Sequence, residues 1–195
     1  MSEKVRVGYM GIPLSNSEHM AKEFSEKFGI RDRELVALMS AKNVVKALVS
    51  GEIDYGVLAT MNRFAGTVLE TRSALKDRYD IEKIDSMWAP IHHCVFTLNK
   101  DVKVTRIVSH VQALLQSENN LKRLYPDAVW EECEDTAYAA EMLSKGLLPE
   151  GSAAVCRKEA GEFYDLHLAN ENVEDNESNM TLFSFVRMKQ TGPSL

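Results

Sequence analysis

"KNVVKALVSGEIDYGVLATMNRF" (residues 42–64) decides the fold. Val44, Val45 and Leu48 recur at helical spacing, which predicts a helix over 42–50 with one apolar face. Gly51 closes it, as the residue type that best takes a left-handed conformation at a helix C-terminus. The period then changes. Tyr55 to Ala59 is a short unbroken apolar run, as a strand covered on both faces requires. Helix, glycine, turn and buried strand in succession make the repeating unit of an α/β protein.

The same alternation extends both ways from this stretch. Val5–Met10 reads as a strand, and 17–28 as a helix preceded by "SNSE", in which Ser15 and Glu18 have capping-box spacing. Leu35–Met39 follows as a strand and Gly66–Asp77 as a third helix. "IEKIDSMWAPIHHCVFTLN" (81–99) is long, extended and interrupted at Pro90, which suits a crossing between two lobes better than a central strand. A second set comes next, with strands over 106–109, 128–132, 153–155 and 166–169 and helices over 111–124, 136–145 and 157–164. A polar loop (170–179) leads into a final apolar strand, Thr181–Met188, and "TGPSL" at the end is expected to fray. No internal repeat is visible. The expected architecture is two α/β subdomains around a cleft, with 1–86 plus 173–195 in the first and 87–172 in the second.

Composition narrows the function classes. With 45% apolar and 27% charged residues, the chain reads as an ordinary soluble globular protein, with no membrane span. A net charge of −6 without a basic block argues against nucleic acid. No apolar leader follows Met1, so no secretory signal is expected. Cys94, Cys133 and Cys156 are odd in number and lack C-x-x-C spacing, which favours free thiols in a reducing compartment over disulfides or zinc. A cytoplasmic, metal-free protein is the expectation.

In open α/β sheets ligands sit beyond the carboxyl ends of the strands, near helix N-termini. Here those ends are "GIPLSNS" (11–17), "TMNRF" (60–64), "SHVQ" (109–112) and "EDT" (134–136). Their hydroxyls, amides and Arg63 suit a small anionic molecule. Each Ser, Asn or Asp there equally suits an N-cap, worth about 1 kcal/mol of helix stability.

"GEIDYGVLATMNRFAGTVLET", "APIHHCVFTL", "IVSHVQALLQ", "DTAYAA" and "NVEDNESNMTLF", in this order and spacing, resemble the catalytic domain of prephenate dehydratases, from about Val5 to Met188. The resemblance implies two α/β subdomains like those of type II periplasmic binding proteins. It implies decarboxylating dehydration of prephenate to phenylpyruvate in phenylalanine biosynthesis, with no cofactor and no metal, and a homodimer. Thr181 and Phe183 match the closing T-R-F motif, whose Thr is the residue tied to catalysis, but Leu182 stands at its Arg. Asn62 matches the Asn of an E-N-S segment in which Met61 and Arg63 replace Glu and Ser. Ser109, His110 and Gln112 match S-H-P-Q-A-L, with Val111 at the Pro, and Thr136 matches S-T-A, with Asp135 at the Ser. Gly11 and Ser17 of the opening G-P-x-G-T-F-S are kept, and Ser15 stands in for its Thr.

The departures fall on the expected site. A charge-assisted hydrogen bond contributes about 1.5–3 kcal/mol, so an Arg lost without replacement weakens binding or turnover roughly 10–150-fold. Arg63, from the opposite wall of the cleft, is the candidate replacement. Asp135 either repels a dianionic substrate or simply caps the next helix. Two other functions stay open: an enzyme that decarboxylates prephenate without aromatisation, and a non-catalytic module that binds an aromatic acid. Relatives often carry a phenylalanine-sensing C-terminal domain, which is not expected in a chain ending at Leu195. His92 and His93 are neighbours on a predicted strand, so without a bulge they cannot share a metal. His110, at a strand-to-helix turn, is either titratable or a cap. Cys94 and Cys156 read as small core residues, 171–177 as a solvated acidic connection, and Trp88 and Trp130 as core or hinge packing.

Overall fold

The computed structural model describes residues 4–190, so the end expected to fray lies outside the described residues. In chain order the first elements are β1 (Val5–Tyr9), α1 (Asn16–Lys27), β2 (Arg33–Ala37), α2 (Ala41–Ser50), β3 (Tyr55–Asn62), β4 (Gly66–Thr67), α3 (Leu69–Ala74) and β5 (Ile81–Pro90). They are followed by β6 (Cys94–Thr97), β7 (Arg106–Ser109), α4 (Val111–Gln116), α5 (Glu118–Leu124), β8 (Val129–Glu132) and α6 (Thr136–Ser144). The last are β9 (Ser152–Cys156), α7 (Lys158–Phe163), β10 (His167–Asn170) and β11 (Met180–Met188). Among the described residues no helix is long and apolar enough to cross a membrane.

The chain divides into two compact units, residues to Ala89 together with those from Met180, and Pro90–Asn179. These boundaries lie later than 86 and 172 because 173–179 is tied into the second unit. Val173 N–H donates to the His93 carbonyl at 2.8 Å, and Asp175 N–H to the Gln116 carbonyl at 2.7 Å.

In the first unit the strand order is β2-β1-β3-β11-β5, with β4 paired to the far end of β3. β1 runs parallel to β2 and β3, and β11 runs antiparallel to β3. Both faces are covered. Phe185 stacks on Phe24 of α1 with ring centroids 5.0 Å apart, while Val186, pointing the other way, packs with Ala41, Val44 and Leu48 of α2. That is why the alternation in β11 could not single out a core face. Gly51 ends α2 at φ 71°, the left-handed cap expected of it.

In the second unit the order is β10-β6-β9-β7-β8, with β7 parallel to β8 and β9, and β6 antiparallel to β9. Its core joins Val95, Ile107, Leu114, Leu121 and Val155. The two units repeat one another. In each, three strands linked through helices set the first strand between the other two, and an antiparallel strand pairs with the third.

Two predicted helices are corrected. Residues 66–77 begin as a hairpin arm, because the Asn62 side-chain carbonyl accepts N–H bonds from Phe64 and Ala65 at 3.0 and 2.9 Å and turns the chain back on itself. Residues 111–124 form two helices that break at buried Ser117. The break frees the first amides of α5 for Asp175, which accepts from Asn119 N and Asn120 N at 2.9 Å each.

Candidate functional site

The last rung between β3 and β11 sets Thr181 opposite Asn62. Just inside it a bulge leaves Thr60 unpaired in the ladder, since Leu182 faces Met61 and Phe183 faces Ala59. Thr60 Oγ1 donates to the Leu182 carbonyl at 3.0 Å, which holds the bulge. Asn62 Nδ2 donates to Thr181 Oγ1 at 3.1 Å and to the Met180 carbonyl at 3.2 Å. Its carbonyl oxygen is already taken by the two turn amides, so the amide cannot flip. Thr181 Oγ1 therefore accepts, and its own proton is left to donate outward; it has no acceptor among the described residues. Asn62 is 5% exposed and Thr181 9%, so the couple is nearly dry.

Ser15 lies at the carboxyl end of the same sheet. It caps α1, accepting from Glu18 N at 3.3 Å, and Glu18 reaches back to Leu14 N at 3.0 Å. Leu14 holds φ 70°, a left-handed conformation that this bond supports. By alternation Thr181 points to the face that α1 covers through Phe24 and Phe185. Ser15 and Thr181 thus share a face and an end. Phe183, expected to touch a ligand, is buried at 2% exposure and packs the strand instead.

Arg63 begins the turn after β3, and its N–H donates to the Met180 carbonyl at 2.9 Å. It therefore sits on the strand adjoining β11, diagonal to Leu182 on the same ribbon face, not on an opposite wall. Its side chain is exposed, and no carboxylate pairs with it among the described residues. Arg63, Trp88 and Met180 line a common depression. Trp88, expected as core or hinge packing, is 46% exposed and lies next to the boundary between the units.

The second unit gathers Ser109, His110, Gln112 and Thr136 at the carboxyl ends of two adjacent parallel strands, β7 and β8. Ser109 is buried and donates to the Val155 carbonyl at 2.5 Å. His110 caps α4, its Nδ1 accepting from Gln112 N at 3.2 Å, and the Gln112 side chain is exposed. Asp135 caps α6, accepting from Ala137 N at 2.8 Å, and Thr136 is the first helical residue behind it.

A buried polar knot escaped the sequence. Glu174, 5% exposed, holds His92 Nδ1 at 2.6 Å through one oxygen and accepts His93 N–H at 2.9 Å through the other. Gln116 Oε1 accepts from Asn179 Nδ2 at 2.8 Å and lies 2.9 Å from His93 Nε2. Sharing that acceptor makes Nε2 the protonated nitrogen of His93. Burial, opposed by Gln116 and by the Glu174 charge, pushes the His93 pKa below its ordinary value. Of the acidic loop expected to be solvated, Glu174 is buried as internal scaffolding, while Glu171, Asp175 and Glu177 stay exposed. The residue order around Glu174, between Val173 and the polar stretch 175–179, carried no period that marked it as buried. Among the described residues no three metal-ligating side chains converge.

A profile of the prephenate dehydratase family matches residues 7–191. Arogenate dehydratase 5 of Arabidopsis thaliana is 30% identical over 92% of this chain and 41% of its own length. Prephenate dehydratase of Lactococcus lactis is 30% identical over 78% of this chain and 54% of its own. The chain thus spans about half or less of these relatives. Among solved structures, prephenate dehydratase of Arthrobacter aurescens in complex with L-Phe shares the fold at TM-score 0.82 and 20% identity, over 98% of this chain and 63% of that one. A periplasmic substrate-binding protein of a Coxiella burnetii ABC transporter shares it at TM-score 0.56 and 13% identity, over 97% and 87%.

Proposed function

This chain belongs to the prephenate dehydratase family, and we propose on that premise that it converts prephenate, or the amino analogue arogenate, by decarboxylating dehydration. The ring C–C bond to the carboxylate breaks, and its electron pair enters the ring as the C–O bond to the hydroxyl breaks. Carbon dioxide leaves, and the departing hydroxide takes up a proton from solvent to become water, with phenylpyruvate formed from prephenate and phenylalanine from arogenate. Aromatisation drives the step, and the protein's task is to orient the acid and stabilise charge on the departing oxygen.

The Asn62–Thr181 couple is the observation that carries this reading. A Thr hydroxyl is too weak an acid to hold a proton ready for release. As a donor fixed in a dry place, it strengthens its hydrogen bond as negative charge grows on the leaving oxygen. Asn62 sharpens this, because a bond donated into Thr181 Oγ1 polarises the O–H. Ser15, with the amides at the start of α1, lies on the same face and end, as a carboxylate contact would need. Ser109, His110, Gln112 and Thr136 form the second unit's contribution to substrate binding in the same reading. A cytoplasmic homodimer belongs to this proposal too, and light scattering of the purified chain tests the dimer.

The deciding experiment incubates the chain with prephenate and with arogenate and resolves products by mass and ultraviolet absorbance, with Thr181→Ala beside the wild type. An aromatic product that disappears in the variant is expected. A non-aromatic decarboxylated product would replace dehydration by simple decarboxylation. Unchanged acid that still raises the melting temperature would make the chain a binding module.

A further inference from the structure

We propose that Arg63 and Trp88 form the subsite that holds a carboxylate-bearing ring, with the guanidinium on the carboxylate and the indole against the ring. This deepens the function proposed above and rests on it only for the identity of the acid. Like Arg31 and Arg72, Arg63 is an exposed cation with no carboxylate partner among the described residues, and of these three it is the one that lines the depression with Trp88 and Met180; Arg6, Arg33, Arg78 and Arg187 of the same unit are paired with Asp54, Glu26, Asp80 and Glu82. Trp88, nearly half exposed, and Met180 share its depression, giving an apolar lining under a single charge. Such a lining with one placed charged group is what a small ring acid needs for orientation. An arginine supplies two parallel donors to a carboxylate, and an indole face supplies stacking area.

The position is also preset. The Asn62 carbonyl that fixes the orientation of Thr181's partner amide accepts from Phe64 and Ala65, so one side chain orders both the couple and the turn bearing Arg63. The Arg63 N–H is held by the Met180 carbonyl, one rung beyond Asn62 and Thr181. A ring acid bound there lies at the strand end that also bears Thr181, one rung from it and on the other face of the ribbon.

The test titrates the full chain with prephenate and with phenylpyruvate and follows intrinsic fluorescence. Trp88 and Trp130 are its two tryptophans, so Trp88→Phe and Trp130→Phe separate their signals. The ligand-induced change is expected to survive Trp130→Phe and vanish in Trp88→Phe. Arg63→Ala should raise Kd and KM at least tenfold with an unchanged melting temperature, and Arg63→Lys should fall between, keeping the charge but not the fork. Binding within twofold of wild type in Arg63→Ala, a signal from Trp130 alone, or no binding by the wild type at millimolar acid overturns the subsite. Turnover is read separately. Binding with these properties but no aromatic product would remove the reaction and leave the subsite. Turnover with KM unchanged in Arg63→Ala would do the reverse.

Discussion

Thr181 stands opposite Asn62 where β11 enters antiparallel beside β3, and Cys94 stands opposite Cys156 where β6 enters antiparallel beside β9. Each pair opens the antiparallel pairing on a corresponding strand, because β3 and β9 are each the third strand of the same three-strand pattern. Their chemistry is opposite. Asn62 and Thr181 are polar, hydrogen-bonded to each other, and leave a hydroxyl proton to donate. Cys94 and Cys156 are buried thiols, and burial pushes both pKa values up, so they stay protonated and inert. One topology thus opens the same kind of strand pairing twice, and side-chain identity decides whether the opening rung becomes a donor or a piece of core.

The sharpest test of that contrast is to alter both rungs. Thr181→Ala removes a donor aimed at developing charge and should lower kcat roughly 10²–10³-fold, the usual cost of one such donor. Cys94→Ala removes only packing and should leave kcat as it was while lowering the unfolding free energy. Steady-state kinetics beside urea unfolding of the two variants checks both. Loss of turnover in Cys94→Ala to the same extent would break the comparison.

The units differ as well in where their polar bonds are buried. The second unit encloses Glu174 with His92 and the His93 amide, whereas the couple of the first unit is neutral and lies at a strand end. Glu174→Ala leaves the buried His93 N–H without its acceptor and should cost about 3 kcal/mol, against about 1 kcal/mol for Thr181→Ala. Each unit contains one tryptophan, Trp88 or Trp130, so single-tryptophan variants report them separately in a denaturant titration. A loss reported by Trp88 in place of Trp130 would show that the knot does not belong to the second unit's stability.

A smaller effect is expected at Gly161 in α7. A Cβ built there would lie 2.3–2.4 Å from ring atoms of Phe96, closer than any real contact. Gly161→Ala must displace that ring in the core of the second unit and should cost about 1–3 kcal/mol, with turnover lost only through unfolding. The melting temperature, compared with that of Phe96→Leu/Gly161→Ala, measures it, and the double variant should recover part of the loss.

Much of this was legible in residues that act locally. Gly51 closed its helix as its type predicts, and Ser15 and Asp135 took caps whose spacing is a sequence signal. What stayed hidden depends on partners distant in the chain. Glu174 is indistinguishable from a solvated acid until His92, 82 positions earlier, is brought to it. Asn62 turns 66–67 into a hairpin arm through its own side chain, which no periodicity records. The repeat of topology between the units was invisible because equivalent strands need the same pairing and no common residue. Thr181 and Cys94 share only a place at the start of corresponding strands.

Acid sharpens the comparison by the smallest step, because it acts on one side chain of the knot. His93 is buried, and its pKa lies below the ordinary value near 6.5. The unfolded chain therefore takes up a proton at a higher pH than the folded chain does. Stability from the neutral ring is complete above the unfolded pKa and is lost as pH falls from there through the folded one. Protonation would also place a second N–H where Nδ1 has no partner among the described residues, with no acceptor to receive it. Melting curves between pH 7.5 and 5 should show the Trp130 transition falling before the Trp88 transition, and His93→Gln should flatten that fall. Parallel decline of both transitions in wild type and variant would assign the acid sensitivity to groups outside the knot.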